Sequence, residues 1–276
     1  MKYFNGELID PGHGTSLTPL GNLVRSLGHD ILDRIETFTA EVARHQNPKE
    51  LRVAILKSIW VAKNRWLDEE FRKRFPEGVI QPELIDGYRE LAPDIAGGRF
   101  DVAVISYPPK VVRPLVSLPW MDEPMLLVVK AAAAAKQLPN VTTVTRREVV
   151  GLHKTFFTMR LNSPMRNAVN KYLAVHRFEV GRQEEVESVL EALPLVEQGA
   201  GISILPASAL VEAIQRNSIK AFHLEPEIKR PLGLLYRDNT RKPEALKSFL
   251  ACFGPSEMPK ERNRAERQMS ERSASH

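Results

Sequence analysis

From Leu51 to Phe253, short apolar runs alternate with amphipathic segments, and this alternation constrains the fold more than any other feature of the chain. LRVAIL (Leu51–Leu56) is short and continuously apolar, as a strand buried on both faces requires. Asn64 to Phe75 reads as a helix with Trp66, Leu67, Phe71 and Phe75 on one face. VIQPELI (Val79–Ile85) is a strand whose internal proline lacks an N–H, which places it at a sheet edge. Glu90 to Ala96 is helical and ends at Gly97-Gly98, and FDVAVI (Phe100–Ile105) is a central strand. Strand, helix, strand, helix, strand with short connections is the pattern of a parallel sheet in an α/β protein.

A second set of units follows. MLLVVK (Met125–Lys130) is a strand, and Ala131–Ala135 begins a surface helix. KTFFTM (Lys154–Met159), the short FEVGR (Phe178–Arg182) and GISILP (Gly201–Pro206) are further strands. Helices are expected over Pro164–Val175, Glu184–Gln198 (ended by Gly199) and Ala207–Arg216. IKAFHL and LGLLYR (Leu232–Arg237) are the last strands, and Pro243–Phe253 the last helix. Two successive α/β units imply two lobes, and 276 residues are enough for both. From Glu257 the tail is polar and charged, so 254–276 is expected to be disordered.

Ahead of the lobes, residues 18–45 read as one long helix. Thr18 is the expected N-cap and Pro19 sits at N1, where its missing N–H costs nothing. Val24, Ile31 and Phe38 repeat every seven residues, and Ile35 and Val42 form an interleaved series; Gly28 weakens one layer. Pro48 ends the helix. The seam is read as a dimerisation surface over residues 18–47, the other reading being an amphipathic helix packed on its own domain.

Charge and motifs exclude several functions. The net charge is +5, but residues 1–50 carry five basic side chains against seven acidic ones, so the N-terminus has no basic stripe for phosphates. With Cys252 as the one cysteine, no internal disulfide or thiolate cluster can form. His13, His29, His45, His153, His176, His223 and His276 show no metal-ligand spacing, so no metal is expected. No GxSxG elbow, Walker loop or dinucleotide fingerprint is present: Gly12-His13-Gly14 follows no strand, and Gly199-Ala200-Gly201 precedes one. We expect no catalytic residues, no enzyme activity and no cofactor. With no signal peptide and no apolar run of about 18 residues, the expected location is cytoplasmic, with no membrane partner.

What remains is a cleft. In open α/β sheets ligands bind at strand C-termini, near helix N-termini whose free amides favour anions. Ser58 follows the first strand, Gly87-Tyr88 the second, and Arg160, Asn162 and Ser163 follow KTFFTM just before the Pro164 helix. Hydroxyls, amides and an arginine between two lobes suit a small carboxylate, although each residue singly is also an ordinary cap.

Three stretches carry a resemblance to the LysR-type transcriptional regulators. LIDPGHGTSLTPLG (Leu8–Gly21) resembles that family's wing and the start of its linker helix. LRVAILKSIWVAKNRWLDEEFRKRFP (Leu51–Pro76) resembles the first strand and helix of its effector domain, and GGRFDVAVIS (Gly97–Ser106) with LVEQGAGISILP (Leu195–Pro206) resembles its two most recognisable phrases. The resemblance covers about residues 3–253. It implies a two-lobed effector domain like the type 2 periplasmic binding proteins, preceded by a long linker helix. Lobe I would be 51–128 and 234–253, and lobe II 129–233, with hinge crossovers near MLLVVK and LGLLYR. By position, Ser58, Ile59, Trp60, Tyr88, Tyr107, Ser163 and Ile202 would line the effector cleft. Trp60 and Tyr88 are bulkier than the small polar residues the resemblance implies there. Residues 1–17 would be the remnant of a winged helix-turn-helix, with His13, Thr15 and Ser16 of the wing as its DNA contacts. Its recognition helix is not in this chain, so weak DNA binding without sequence preference is expected. The partners implied are DNA, a small-molecule effector and further copies of the chain, as a homodimer or homotetramer. The alternative is a stand-alone small-molecule sensor or solute-binding protein of the same fold.

Overall fold

The computed structural model describes residues 7–10, 16–85, 91–152, 154–161, 163–238 and 243–254. The expected tail from residue 255 on, along with His13, Thr15, Tyr88 and Asn162, lies outside them. The first described residues pair as a hairpin, with an antiparallel bridge between Ile9 and Leu17 flanked by Asp10 N–H to the Ser16 carbonyl (2.9 Å) and Thr18 N–H to the Leu8 carbonyl (3.1 Å). Helix α1 (Pro19–Gln46) starts at once. The Thr18 hydroxyl accepts the Gly21 N–H at 3.0 Å and donates to the Glu7 carbonyl at 2.6 Å, so one side chain caps the helix and ties the hairpin to it. Gly21 makes the close approach possible, since a Cβ there would lie 2.0 Å from the Leu8 carbonyl oxygen.

Most of the apolar stripe on α1 faces solvent. Val24 is half-buried, but Ile31, Ile35 and Phe38 are 58%, 55% and 68% exposed, and Val42, Leu23 and Leu27 are exposed too. Most of the stripe is therefore not folded onto the chain's own domain.

After α1 come β1 (Glu50–Leu56), α2 (Lys57–Arg74), β2 (Val79–Ile85), α3 (Leu91–Gly97), β3 (Val102–Ser106) and the long β4 (Leu115–Lys130). The second lobe adds α4 (Ala131–Gln137), β5 (Thr143–Val144), α5 (Arg146–Val149), β6 (Thr155–Met159), α6 (Pro164–His176), β7 (Arg182–Val186), α7 (Val189–Gln198) and β8 (Ile202–Pro206). A 3-10 turn (Ala207–Leu210) leads into α8 (Val211–Gln215), then β9 (Ile219–Leu224), β10 (Ile228–Arg237) and α9 (Glu244–Ala251).

The strands form one sheet in the order β2-β1-β3-β10-β4-β8-β6-β7, with β9 paired to β4 and β5 to β9. β1, β2 and β3 are parallel, as are β6, β7 and β8, and β4 and β10 run antiparallel to their neighbours between the two groups. Pro82 sits in β2 at the edge, where its missing donor is tolerated.

Two separate cores fill the lobes. One gathers β1, β3, α2, α9 and Leu232–Tyr236 around Phe71 and Phe249; the other gathers Met125–Val129, Phe156, Phe222 and Ile228. Met125–Val129 and Ile228 pack in one core and Leu232–Tyr236 in the other, so the two cores part within each crossover strand. The Gly199-Ala200-Gly201 stretch closes α7. Gly199 adopts φ +84 and its N–H reaches the Leu195 and Val196 carbonyls. Gly199→Ala should lower stability by about 1–2 kcal/mol, from the left-handed backbone alone, read as an earlier urea midpoint with an unchanged slope.

Candidate functional site

Among the described strands, only β4 and β10 run through both cores, and where they pass between the lobes each carries one buried charge. Glu123 and Arg230 are register partners across the antiparallel pair, and each precedes a proline, Pro124 and Pro231. Their side chains are 6% and 2% exposed. Arg230 Nε and Nη2 both donate to Glu123 Oε2, at 2.9 and 2.5 Å, and Nη1 donates to the Ser58 hydroxyl oxygen at 3.1 Å. The other carboxylate oxygen, Oε1, accepts the Ser208 N–H at 2.9 Å.

This chain of contacts joins the lobes. Ser58 stands in the first turn of α2, just beyond the C-terminal end of β1, and that helix starts without a side-chain cap. Ser208 stands in the 3-10 turn just beyond the C-terminal end of β8, and α2 lies against that turn. Hydroxyl, guanidinium, carboxylate and amide therefore run from lobe I through the crossovers into lobe II. Desolvating two charges is costly, and it is offset here by opposite charge at contact distance and by hydrogen bonds on both carboxylate oxygens.

The residues expected from sequence fall in different settings. Ser58 is part of this network. Trp60 is half-buried against the lobe I core. Tyr107 follows β3 of lobe I, yet packs on the lobe II core and donates its N–H to the Pro231 carbonyl at 2.7 Å, with φ +51. Ile59 and Ile202 are each 1% exposed inside the lobe I and lobe II cores, and offer no free surface to a ligand. Arg160, 59% exposed, pairs with Glu187 across the ends of β6 and β7. Ser163 precedes α6 without a side-chain cap bond, and its N–H donates to the Arg160 carbonyl at 3.2 Å. Beside it Arg166 donates to Glu185 at 2.5 Å and to the Met159 carbonyl at 3.1 Å. Ser16, expected to be a DNA contact, is exposed.

Glu123, Arg230 and Ser208 were not singled out from the sequence. The signal available was a charged residue followed by proline in each of the two stretches MDEPMLLVVK and IKRPLGLLYR.

An open depression of about 560 Å³ lies on lobe II, lined by Arg146, Arg147, Glu148, His176 and Glu225 among others. There the Thr145 hydroxyl holds the Glu148 carboxyl below its usual range, and burial pushes the Tyr172 phenol up to about 12. Among the described residues no group of three or more His, Cys, Asp or Glu could hold a metal, and no helix is long and apolar enough to cross a membrane.

Two α/β lobes joined by two crossover strands, with polar groups meeting between strand ends, define a two-lobed ligand-binding domain. The LysR substrate binding domain family matches residues 44–256, and the chain belongs to the LysR family of transcriptional regulators. It is 28% identical over 202 residues to the RuBisCO operon transcriptional regulator of Acidithiobacillus ferrooxidans, covering 70% of this chain and 61% of that one. It is 31% identical over 137 residues to the uncharacterized HTH-type transcriptional regulator YbhD of Escherichia coli (strain K12), covering 49% and 41%. The chain thus spans less than two thirds of the length of these relatives. Among solved structures, CbnR complexed with its target DNA superposes with a TM-score of 0.63 at 18% identity, over 90% of this chain and 84% of that one. A full-length OxyR variant from Pseudomonas aeruginosa gives 0.62 at 16% (89% and 79%), and the BenM effector binding domain with its effector benzoate 0.62 at 19% (74% and 90%).

The pair should behave as a unit. Arg230→Met alone strands a buried carboxylate and should cost about 3–5 kcal/mol, whereas the Glu123→Leu/Arg230→Met double variant should recover most of it. Urea unfolding of the four proteins measures this; costs that simply add would show that the two side chains are not coupled.

Proposed function

We propose that this chain is the sensing and assembly part of a LysR-type regulator, and that the cleft between its lobes receives a small-molecule effector of the carboxylate class. The observation that carries this reading is the convergence of the Arg230 guanidinium, the Ser58 hydroxyl and the Ser208 amide between the lobes. All three suit a carboxylate, and they stand at the strand ends where α/β sheets bind ligands. The benzoate effector of BenM, a protein of like fold, is itself a small acid. Ser58, Trp60, Tyr88, Tyr107, Arg160 and Ser163 are proposed to face the ligand, with Ile59 and Ile202 backing the cleft from the two cores. A screen of small carboxylates, aromatic acids and amino acids by thermal shift tests the reading, because a ligand that prefers the folded state raises the melting temperature. Arg160→Ala should weaken a hit if that arginine reaches the ligand; an unchanged hit removes it from the site.

The exposed stripe on α1 is proposed to pair with α1 of a second copy, giving a homodimer or homotetramer that effector binding alters. Its apolar side chains recur at coiled-coil spacing along a helix of 28 residues. Light scattering should show an oligomer for residues 1–276 and a smaller species once residues 1–47 are deleted; an unchanged mass after deletion would remove α1 from the interface. DNA binding by residues 1–276 alone is proposed to be weak and unselective, since ahead of α1 the described residues offer only the hairpin. A gel shift should show a Kd of about micromolar or weaker with no sequence preference, and nanomolar selective binding would overturn this. The proposed location is the cytoplasm.

A further inference from the structure

We infer that Glu123 is a built-in competitor for the cleft's ligand: its carboxylate holds the place on Arg230 that an effector's carboxylate takes, and an acid enters by displacing it. The inference rests on the reading of the cleft as an acid-binding site.

The guanidinium at that site is already engaged. It is almost fully buried and donates through Nε, Nη2 and Nη1 to Glu123 and Ser58. The geometry of the engagement leaves something to gain, because Nε and Nη2 both end on the single oxygen Oε2. Glu123 is anchored on β4, opposite Arg230 in register, and its second oxygen is turned to the Ser208 amide. It therefore does not make the fork in which two parallel N–H bonds meet two carboxylate oxygens, the stronger arrangement for this pair of groups. A free acid, not tethered to β4, can make that fork while Nη1 keeps its bond to the Ser58 hydroxyl. Against this, Glu123 is always present at high effective concentration, so a simple monocarboxylate competes poorly in the unmodified protein. Removing the charge at residue 123 removes the competitor.

Displacement also has a consequence for the lobes. Glu123 is the link between Arg230 and the Ser208 amide, so an acid that takes its place on Arg230 breaks the run of contacts from Ser58 in lobe I to Ser208 in lobe II. Occupancy of the cleft and the tie between the lobes would then be alternatives.

Calorimetric titration of the full chain with acetate and with benzoate, at constant ionic strength balanced by chloride, tests the inference. Glu123→Gln keeps the size of the side chain and guards against a folding defect in Glu123→Ala. Both variants should bind acetate about tenfold tighter than the unmodified protein, or more. Benzamide, which carries no charge, should bind none of them better, and the gain should vanish in Glu123→Ala/Arg230→Met. Equal carboxylate affinity with and without Glu123 would overturn the competitor and leave the cleft reading standing. A gain that survives loss of Arg230 would overturn it too, by placing the acid elsewhere. No carboxylate binding by any of the proteins would remove both the competitor and the reading on which it rests.

Discussion

Much of the structure depends on keeping one arginine and one glutamate out of water in the two strands that connect its halves. An isolated charge in that position would be prohibitive, and a pair is tolerable only if geometry and hydrogen bonds replace what solvent gave. Arg230 and Glu123 meet this condition because antiparallel register sets them directly opposite one another, and because Ser58 and Ser208 supply an acceptor and a donor from either side. Such a pair contributes little net stability relative to apolar residues of the same volume. Its effect is on arrangement: the hydrogen bonds are complete only when α2, the 3-10 turn and both crossovers are in place together.

The crossovers pair along ten residues of β10, Ile228 to Arg237, but that ladder is interrupted where they pass between the lobes. β4 contains Pro119 and Pro124, β10 contains Pro231, and none of the three can donate a ladder bond. The register between the strands also shifts at Leu232/Gly233. The sheet is continuous across this pair, but the prolines and the register shift fall where the two separately packed cores part. Side chains as well as the ladder then set how the lobes meet there, which suits the proposed role of the crossovers as a joint that rearranges around a ligand.

The fold was legible wherever a segment is buried on both faces or carries a strong cap. LRVAIL, GISILP and the Thr18-Pro19 start of α1 stand within a residue of their expected places, because continuous apolar runs and an N-cap followed by proline have few alternative structures. Misplacements occurred where these signals fail. The first half of β4, LVSLPWMDEP, carries two prolines and two acids and does not read as strand; tertiary pairing with β10 makes it one. β7 is RQEEV rather than the expected FEVGR, since an edge strand exposed along most of its length needs no apolar alternation, and Glu185 is fixed there by Arg166 and the Leu161 amide. The candidate site was half legible for the same reason. Ser58 follows an obvious strand, whereas Glu123 and Arg230 lie 107 positions apart and become a pair only through the register of two strands.

Placement of α1 sets how anything occurring in the cleft could be felt outside it. Beyond the hairpin, the helix meets the body at α3 of lobe I, and lobe II lies on the far side of the crossovers. A change in the angle between the lobes is therefore, as seen from α1, a movement of lobe II against a fixed lobe I. If α1 pairs with a second copy as proposed, lobe I is held by that pairing and lobe II is the part free to swing. In the proposed mechanism, the contact at which that swing begins is the Ser208 amide on Glu123. On that proposal its strength depends on whether the carboxylate is shared with Arg230 or released from it, and the crossover pair becomes the place where ligand chemistry and assembly geometry are exchanged.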